Sequence, residues 1–152
     1  MLCSMADPIA PPVAHRAEDA VELVSQAFSD GDLDAALAQY EPSAQLQPWA
    51  RPADAGYGLR DTMRELMDLR LPLSLSIRET LRVAGLTVVM CERRIAGLSP
   101  DSEQIRLRGY GFAAVRPQPD GSWRIAIDSW CLEDPPEPLE VPPVRTTDDL
   151  GG

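Results

Sequence analysis

Two kinds of hydrophobic periodicity divide the chain into a helical first part and a strand-rich second part. From Ala14 to Asp30, apolar residues recur at the three- and four-residue spacing of a single helix face. That face consists of Ala17, Ala20, Val21, Val24, Ala27 and Phe28. Gly31 is predicted to end the helix in the left-handed conformation, and Asp32 is placed to cap a second, short helix. The apolar face of the second helix is assigned to Leu33, Ala36, Leu37 and Tyr40.

The period then changes from that of a helix to that of a strand. Glu41-Pro42 ends the second helix, because the residue before a proline is disfavoured in the α region. From Ala44 the polarity alternates, which predicts a first strand running to Trp49. A third helix is predicted from Leu59 to Arg70. Four further strands are predicted at Leu73–Val83, Thr87–Ala96, Glu103–Arg116 and Trp123–Cys131.

This order of elements predicts an α+β fold, in which helices cover one face of an antiparallel sheet. Gly109 and Gly111 fall on the apolar face of the fourth strand. Glycine weakens a strand interior unless a bend or a close backbone approach requires it, so the pair predicts a strongly curved sheet.

The chain reads as one folded domain between two irregular ends. Residues 1–13 are proline-containing and form the predicted flexible lead-in, and residues 14–131 form the folded domain. Residues 132–152 are acidic and rich in proline, which is typical of a disordered tail.

The amino-acid composition excludes several classes of function. The formal net charge is -10, which argues against nucleic-acid binding. All 14 basic residues are arginine, a usage typical of a GC-rich bacterial genome, and the lack of lysine excludes Schiff-base chemistry and a phosphate-loop lysine. With His15 as the single histidine, a Ser-His-Asp triad, a Cys-His pair or a multi-histidine metal site is not expected. We expect no metal and no cofactor.

The cellular compartment can also be predicted from the sequence. No apolar run is long enough to span a membrane, and the N-terminus lacks the pattern of a signal peptide. Cys3, Cys91 and Cys131 form an odd set without close spacing, which fits reduced thiols. The sequence therefore predicts a cytoplasmic protein that binds neither membrane nor nucleic acid.

Three segments carry a resemblance to a known family. They are the GDLDAAL turn with its following Tyr-Glu-Pro, the Gly-x-x-x-Met-Arg-Glu helix at residues 58–65, and the closing segment from Arg116 to Asp128. Together they resemble the SnoaL-like proteins of the nuclear-transport-factor-2-like superfamily, which includes ketosteroid isomerase. The resemblance covers about residues 14–130. It implies a curved, antiparallel or mixed sheet wrapped by three helices into a cone with an apolar pocket, commonly as a homodimer.

The catalytic residues of the isomerase do not transfer to this sequence. Aligned on the Gly31 turn, its catalytic tyrosine corresponds to Val24 and its base aspartate to Pro48. Its second aspartate corresponds to the region of Gly109 and Gly111, where no carboxylate exists. Steroid isomerisation by the usual Tyr/Asp/Asp set is therefore not expected.

Asp128 is the leading candidate for chemistry. It lies late in an apolar strand, and SnoaL-like cyclases use an acid/base aspartate in roughly this region. Carboxylates in apolar surroundings are suited to proton transfer near neutral pH. The alternative is a structural aspartate that bonds backbone or an arginine. Tyr110 and Gln47 are the other catalytic candidates, as groups that polarise a carbonyl.

A second set of side chains is expected to contact the substrate. Tyr40 more simply fills the core, Cys91 more simply is a buried inert thiol, and the strand face of Gln45 and Trp49 could instead be exposed. The set comprises Trp49, Tyr40, Tyr57, Gln45, Cys91, Arg93 and Trp130. The remaining arginines of the sheet are expected to form ion pairs with glutamates or across a dimer, with an anionic-ligand site as the lesser alternative. They are Arg78, Arg82, Arg94, Arg106, Arg108 and Arg124.

Two functions from different classes remain open. The first is a cofactor-independent enzyme for cyclisation, isomerisation, dehydration or epoxide opening of a hydrophobic, oxygenated metabolite such as a polyketide intermediate. The second is a non-catalytic small-molecule binder or dimeric accessory protein. Partner docking by the acidic tail is a weaker third possibility.

Overall fold

The order of helices and strands predicted from the sequence is the order found. A computed structural model describes residues 10–49 and 58–133. Its helices are α1 (Ala17–Asp30), α2 (Leu33–Leu37) and α3 (Leu59–Met67). Its strands are β1 (Tyr40–Trp49), β2 (Leu73–Val83), β3 (Leu86–Leu98), β4 (Gln104–Pro117) and β5 (Trp123–Leu132).

The five strands form one mixed sheet in the order β1-β5-β4-β3-β2. β2, β3, β4 and β5 pair antiparallel in succession, whereas β1 runs parallel to β5 at the edge. The helices pack on one face, here called the inner face; the opposite face is the outer face. The described part of the chain is thus α+β with a curved, unclosed sheet, as predicted.

Two glycines of β4 allow its backbone to approach that of β5 closely. A Cβ built on Gly111 would lie 1.7 Å from the carbonyl oxygen of Ser129, and one on Gly109 would lie 2.0 Å from that of Trp130. Since real Cβ atoms do not approach backbone oxygens so closely, only glycine fits at either position. The close backbone approach predicted from these glycines is therefore present.

The turn between the first two helices forms as its sequence predicts. Gly31 adopts the left-handed conformation with φ of 72°, and its N–H donates to the carbonyls that end α1. The Asp32 carboxylate accepts the Ala35 N–H at 3.0 Å and caps α2.

Several element boundaries differ from the prediction. α2 ends at Leu37, so Tyr40 begins β1 instead of completing the helix face. Pro42 lies inside β1, where the register with β5 is interrupted; an edge strand tolerates this, because proline cannot donate to a sheet. α3 likewise ends at Met67, ahead of Arg70, whose φ is positive.

The ends of the folded part are tied to the sheet. The Gln39 side-chain amide donates to the Pro12 carbonyl at 2.8 Å, and the Trp123 N–H donates to the Ala14 carbonyl. β5 continues to Leu132, and Glu133 pairs with Arg108, so strand pairing includes the first two residues after Cys131. The rest of the predicted tail and residues 1–9 lie outside the described residues.

The core lies between α1 and the inner face of the sheet. All six residues of the predicted α1 face are buried there. No helix within the described ranges is long and apolar enough to cross a membrane.

Candidate functional site

Asp128 is placed on the inner face by an irregularity in β5. Ala114 pairs with Ile127 but Val115 pairs with Ile125, so Ala126 is an extra residue in β5. The bulge shifts the alternation by one residue. Asp128 therefore points inward, with no exposed surface, and Ile127 points outward with 49% of its surface exposed.

The Asp128 carboxylate is bound by two side chains from other strands. The Tyr40 hydroxyl donates to Oδ2 at 2.6 Å, and Arg93 Nη2 donates to Oδ1 at 2.9 Å. Tyr40 begins β1 and Arg93 lies in the middle of β3, so the inner cluster joins side chains from an edge strand and two interior strands. Both partners are buried, and Arg93 is only 1% exposed. The three residues form a buried, charge-compensated group, called here the inner cluster.

An aromatic wall stands beside the inner cluster. The guanidinium carbon of Arg93 lies 5.0 Å from the centre of the Trp130 ring, within range of a cation–π contact. Phe28 of α1 packs edge-on against Trp130, with ring centres 5.8 Å apart. Helix α1 therefore fixes the ring on which Arg93 rests.

Burial keeps the other titratable groups of the inner face protonated. Burial raises the pKa of the Tyr40 hydroxyl well above its ordinary value, and the adjacent Asp128 raises it further. Tyr40 consequently acts as a hydrogen-bond donor to the carboxylate. Burial also raises the pKa of the Cys91 thiol to about 11, with Arg93 opposing the rise and Asp128 adding to it. Cys91 is thus a poor nucleophile at neutral pH.

The outer face carries a second buried carboxylate with a different set of partners. Glu92 is 2% exposed and accepts from Arg78, Arg94 and Arg108 at 2.6 to 2.8 Å. The hydrogen bonds from these arginines, with that from Arg78 the largest contribution, lower its pKa to about 2. The predicted ion pairing of the sheet arginines with glutamates is present here, and Glu92 is held as a structural anion.

The structure brings together some of the candidates and separates others. Tyr40, Cys91, Arg93, Asp128 and Trp130 are all buried in or beside the inner cluster.

The remaining candidates lie elsewhere. Gln45 and Gln47 pair in register with Ile127 and Ser129 and so belong to the outer face. Tyr110 is 58% exposed on that face and contacts Arg108. Tyr57 and the side chain of Trp49 lie outside what the structure describes.

Sequence reasoning did not join Tyr40, Arg93 and Asp128 into one group. Arg93 carried a usable signal, because a charged residue stood on the apolar side of the β3 alternation, between Cys91 and Ile95. The bulge at Ala126 had no signal in the sequence, although it determines that Asp128 points to the inner face.

No group of three or more His, Cys, Asp or Glu side chains within residues 10–49 and 58–133 could hold a metal ion. A separate open cavity of about 220 Å³ lies between α3 and β4, lined in part by Leu66, Leu69, Ile105 and Leu107. Of the residues considered in the sequence analysis, Arg106 lines it, whereas the catalytic candidates Asp128, Tyr110 and Gln47 do not.

Comparison with known proteins places the fold. No protein-family model matches the sequence, and no curated protein matches it. A ketosteroid isomerase-like protein from Erwinia carotovora atroseptica is 20% identical over 74% of this chain and 90% of its own, with a TM-score of 0.61. The Δ5-3-ketosteroid isomerase from Mycobacterium sp. is 13% identical over 77% of this chain and 92% of its own, with a TM-score of 0.54.

A third similar structure is the epoxide hydrolase/cyclase-like enzyme SalBIII of pyran ring formation in the polyether salinomycin. It is 12% identical over 76% of this chain and 89% of its own, with a TM-score of 0.51. The chain therefore has the cone fold of the nuclear-transport-factor-2-like proteins. At these identities the similarity establishes the fold alone, and one fold of this kind hosts many reactions.

Proposed function

We propose that this chain is a cofactor-independent acid/base enzyme acting on a hydrophobic, oxygenated small molecule, such as a polyketide intermediate. The observation that carries the proposal is the Asp128 carboxylate, fully buried on the inner face and oriented by Tyr40 and Arg93. Cyclisation, isomerisation, dehydration and epoxide opening all need one positioned proton-transfer group of this kind.

The inner cluster suits Asp128 to that role. Each carboxylate oxygen has two lone pairs, and the contacts with Tyr40 and Arg93 use one on each oxygen. One lone pair per oxygen is left to accept a substrate proton. The Arg93 guanidinium is the cation of the buried ion pair with Asp128. It therefore compensates the carboxylate charge in a site from which water is excluded.

The surroundings support a hydrophobic substrate. Trp130, Phe28 and Cys91, two aromatic rings and a weakly polar thiol, are buried in or beside the inner cluster. SalBIII, similar in fold, is described as an epoxide hydrolase/cyclase-like enzyme in polyether formation. Both observations fit proton transfer on a carbon skeleton with few polar groups.

Hydrogen–deuterium exchange at an activated carbon tests the proposal without knowledge of the natural substrate. The probe is 2-acetonaphthone, a flat hydrophobic ketone, dissolved in D₂O and followed by NMR at its methyl group. The wild-type protein should accelerate exchange above buffer, and Asp128→Asn should reduce the acceleration about 100-fold or more.

Glu92→Gln is the matched control, because Glu92 is an equally buried, arginine-paired carboxylate on the other face of the sheet. It should leave exchange unchanged. Equal exchange by wild type and a folded Asp128→Asn variant would remove Asp128 from the mechanism.

A non-catalytic binder is the second candidate function. It is favoured by the inner cluster itself, since both Asp128 oxygens already accept internal hydrogen bonds and the residue has no exposed surface. Under this alternative the ketone binds and is recovered without deuterium, and Asp128→Asn changes affinity alone.

A further inference from the structure

Two buried hydrogen-bond donors beside Asp128 have no partner among the described residues. They are Arg93 Nη1 and Trp130 Nε1. A buried donor without an acceptor costs about 1–3 kcal/mol, so such groups are uncommon in folded proteins and call for an explanation. Both belong to residues that are at least 99% buried.

The two donors occur on side chains in direct contact. Arg93 lies against the Trp130 ring, and the same guanidinium already donates through Nη2 to Asp128. The N–H groups of a guanidinium are fixed in one plane. An acceptor bound at Nη1 is therefore held next to the carboxylate bound at Nη2, whatever else the ligand contacts.

Charge decides which acceptor fits. Arg93 and Asp128 already form an ion pair with no net charge. Adding a permanent anion to this buried pair would leave one charge uncompensated, which is costly in the interior. A neutral carbonyl oxygen satisfies the donors without that cost, and it can gain negative charge during reaction opposite Arg93.

We propose that Arg93 Nη1 and Trp130 Nε1 form a binding site for the carbonyl oxygen of a neutral hydrophobic ligand, with the carbon next to the carbonyl facing Asp128. This inference rests on the proposed small-molecule site and names its substrate class: ketones, aldehydes or lactones in preference to carboxylates. It assigns the polarising role to β3 and β5, where the sequence had suggested Tyr110 and Gln47.

Three probes that share one ring system test the assignment by calorimetric titration. They are 2-acetonaphthone, 2-ethylnaphthalene and 2-naphthoate, which differ in carrying a carbonyl, no acceptor and an anion. The wild-type protein should bind the ketone more tightly than either of the others. Tighter binding of naphthoate, or equal binding of the hydrocarbon and the ketone, would overturn the proposal.

Trp130→Phe removes one donor and keeps an aromatic ring. It should weaken ketone binding about 3- to 10-fold relative to 2-ethylnaphthalene. Trp123→Phe, at the start of the same strand and outside the inner cluster, is the control and should change neither affinity. If Trp130→Phe leaves the ratio of the two affinities unchanged, Trp130 is not a donor to the ligand.

A second measurement distinguishes loss of the Trp130 N–H donor from loss of packing, since Trp130→Phe removes both. Benzothienylalanine at position 130 has the shape of tryptophan with sulfur in place of the N–H group. The carbonyl stretching band of bound, ¹³C-labelled ketone should lie at lower frequency in the wild type than in this variant. An identical band position would contradict donation from Nε1.

The test separates this inference from the proposed enzyme function. Ketone-selective binding that depends on Trp130, without proton exchange, would retain the carbonyl site and refute the catalysis. Exchange that depends on Asp128 but not on Trp130 would retain the catalysis and refute the carbonyl site.

Discussion

Asp128 and Arg93 are opposite charges that the fold buries completely and holds 2.9 Å apart. The net value of such a pair is small, because desolvation offsets most of the attraction. Leaving one partner alone is expensive. Removal of either partner should therefore lower the free energy of unfolding by more than the pair itself contributes.

Arg93→Met should lower the free energy of unfolding by about 3–5 kcal/mol at pH 7, because it leaves the Asp128 carboxylate buried without its cation. Urea unfolding followed by circular dichroism measures the change. The double variant with Asp128→Leu should regain much of the loss. Arg78→Met is the control, since Arg78 is exposed and Glu92 keeps two other arginines; it should lower the free energy of unfolding far less than Arg93→Met does. A similar loss in both single variants would show that burial of the inner pair has no special cost.

Cys91 provides a prediction for alkaline pH. Its folded-state pKa of about 11 lies above the unfolded value of 9.0, so the folded state retains the thiol proton longer. Stability from this group is complete below pH 9 and is lost as pH rises toward 11. The stability of wild type relative to Cys91→Ala should fall by about 2 kcal/mol between pH 9 and 11.

The absence of lysine makes this window favourable, because only cysteines and tyrosines titrate there. Urea unfolding of the wild type and of Cys91→Ala at a series of pH values measures the slope. A constant difference between wild type and Cys91→Ala across the window would mean that Cys91 titrates normally.

Elements are specified by the sequence to different degrees. Helix α1 was predictable residue by residue, because a long amphipathic stripe and a Gly-Asp turn agree on its face and its end. The start of β1 was predicted four residues late, because a proline usually marks the boundary of an element. Pro42 is tolerated inside β1 because β1 is an edge strand, which the sequence alone does not show. The Ala126 bulge was invisible for the same reason: alternation in β5 continues through it, and only the pairing with β4 shows the extra residue.

The candidate site was likewise only partly predictable, because its contacts depend on strand pairing. Asp128 and Arg93 were named from their own strands, but the contact between them depends on the bulge and on strand order. Tyr40 is a core residue, as expected, but it begins β1 instead of ending α2, and its hydroxyl reaches Asp128.

The contact between β4 and β5 that brings Asp128 into place depends on glycine. Gly111→Ala would place a Cβ 1.7 Å from a backbone oxygen, which neither strand can relieve without losing register. We expect loss of more than about 4 kcal/mol in stability, or failure to fold, measured by urea unfolding and yield of soluble protein. Gly58→Ser is the control: the space around Gly58 is open, its φ of -72° suits any residue, and serine caps helices well. A stable Gly111→Ala protein would contradict the close approach of the two strands.

At the scale of the whole molecule, the outer face of the sheet has apolar side chains without cover in a single copy. Tyr110, Phe112 and Ile127 are 58%, 37% and 49% exposed on neighbouring strands. The homodimer implied by the family resemblance remains a prediction, and this surface is where we place it. Phe112→Glu should then shift sedimentation from dimer to monomer, whereas Val13→Glu, at an exposed position outside the five strands, should not. A wild-type protein that sediments as a monomer at high micromolar concentration would refute the dimer.

The two faces of the sheet thus have different roles: the outer face is structural, and the inner face carries the proposed chemistry. The outer face holds Glu92 as a fixed anion among arginines, while the inner face holds Asp128 between a tyrosine donor and an arginine with a donor to spare. Two buried carboxylates, one on β3 and one on β5, thereby serve different purposes, one in stability and one, in our proposal, in proton transfer.

A crystal structure of the protein with 2-acetonaphthone bound tests that division most directly. The account predicts the carbonyl oxygen about 3 Å from Arg93 Nη1 and Trp130 Nε1, with the methyl carbon facing the Asp128 carboxylate. A ketone bound elsewhere, or one whose carbonyl turns away from Arg93 and Trp130, would contradict it.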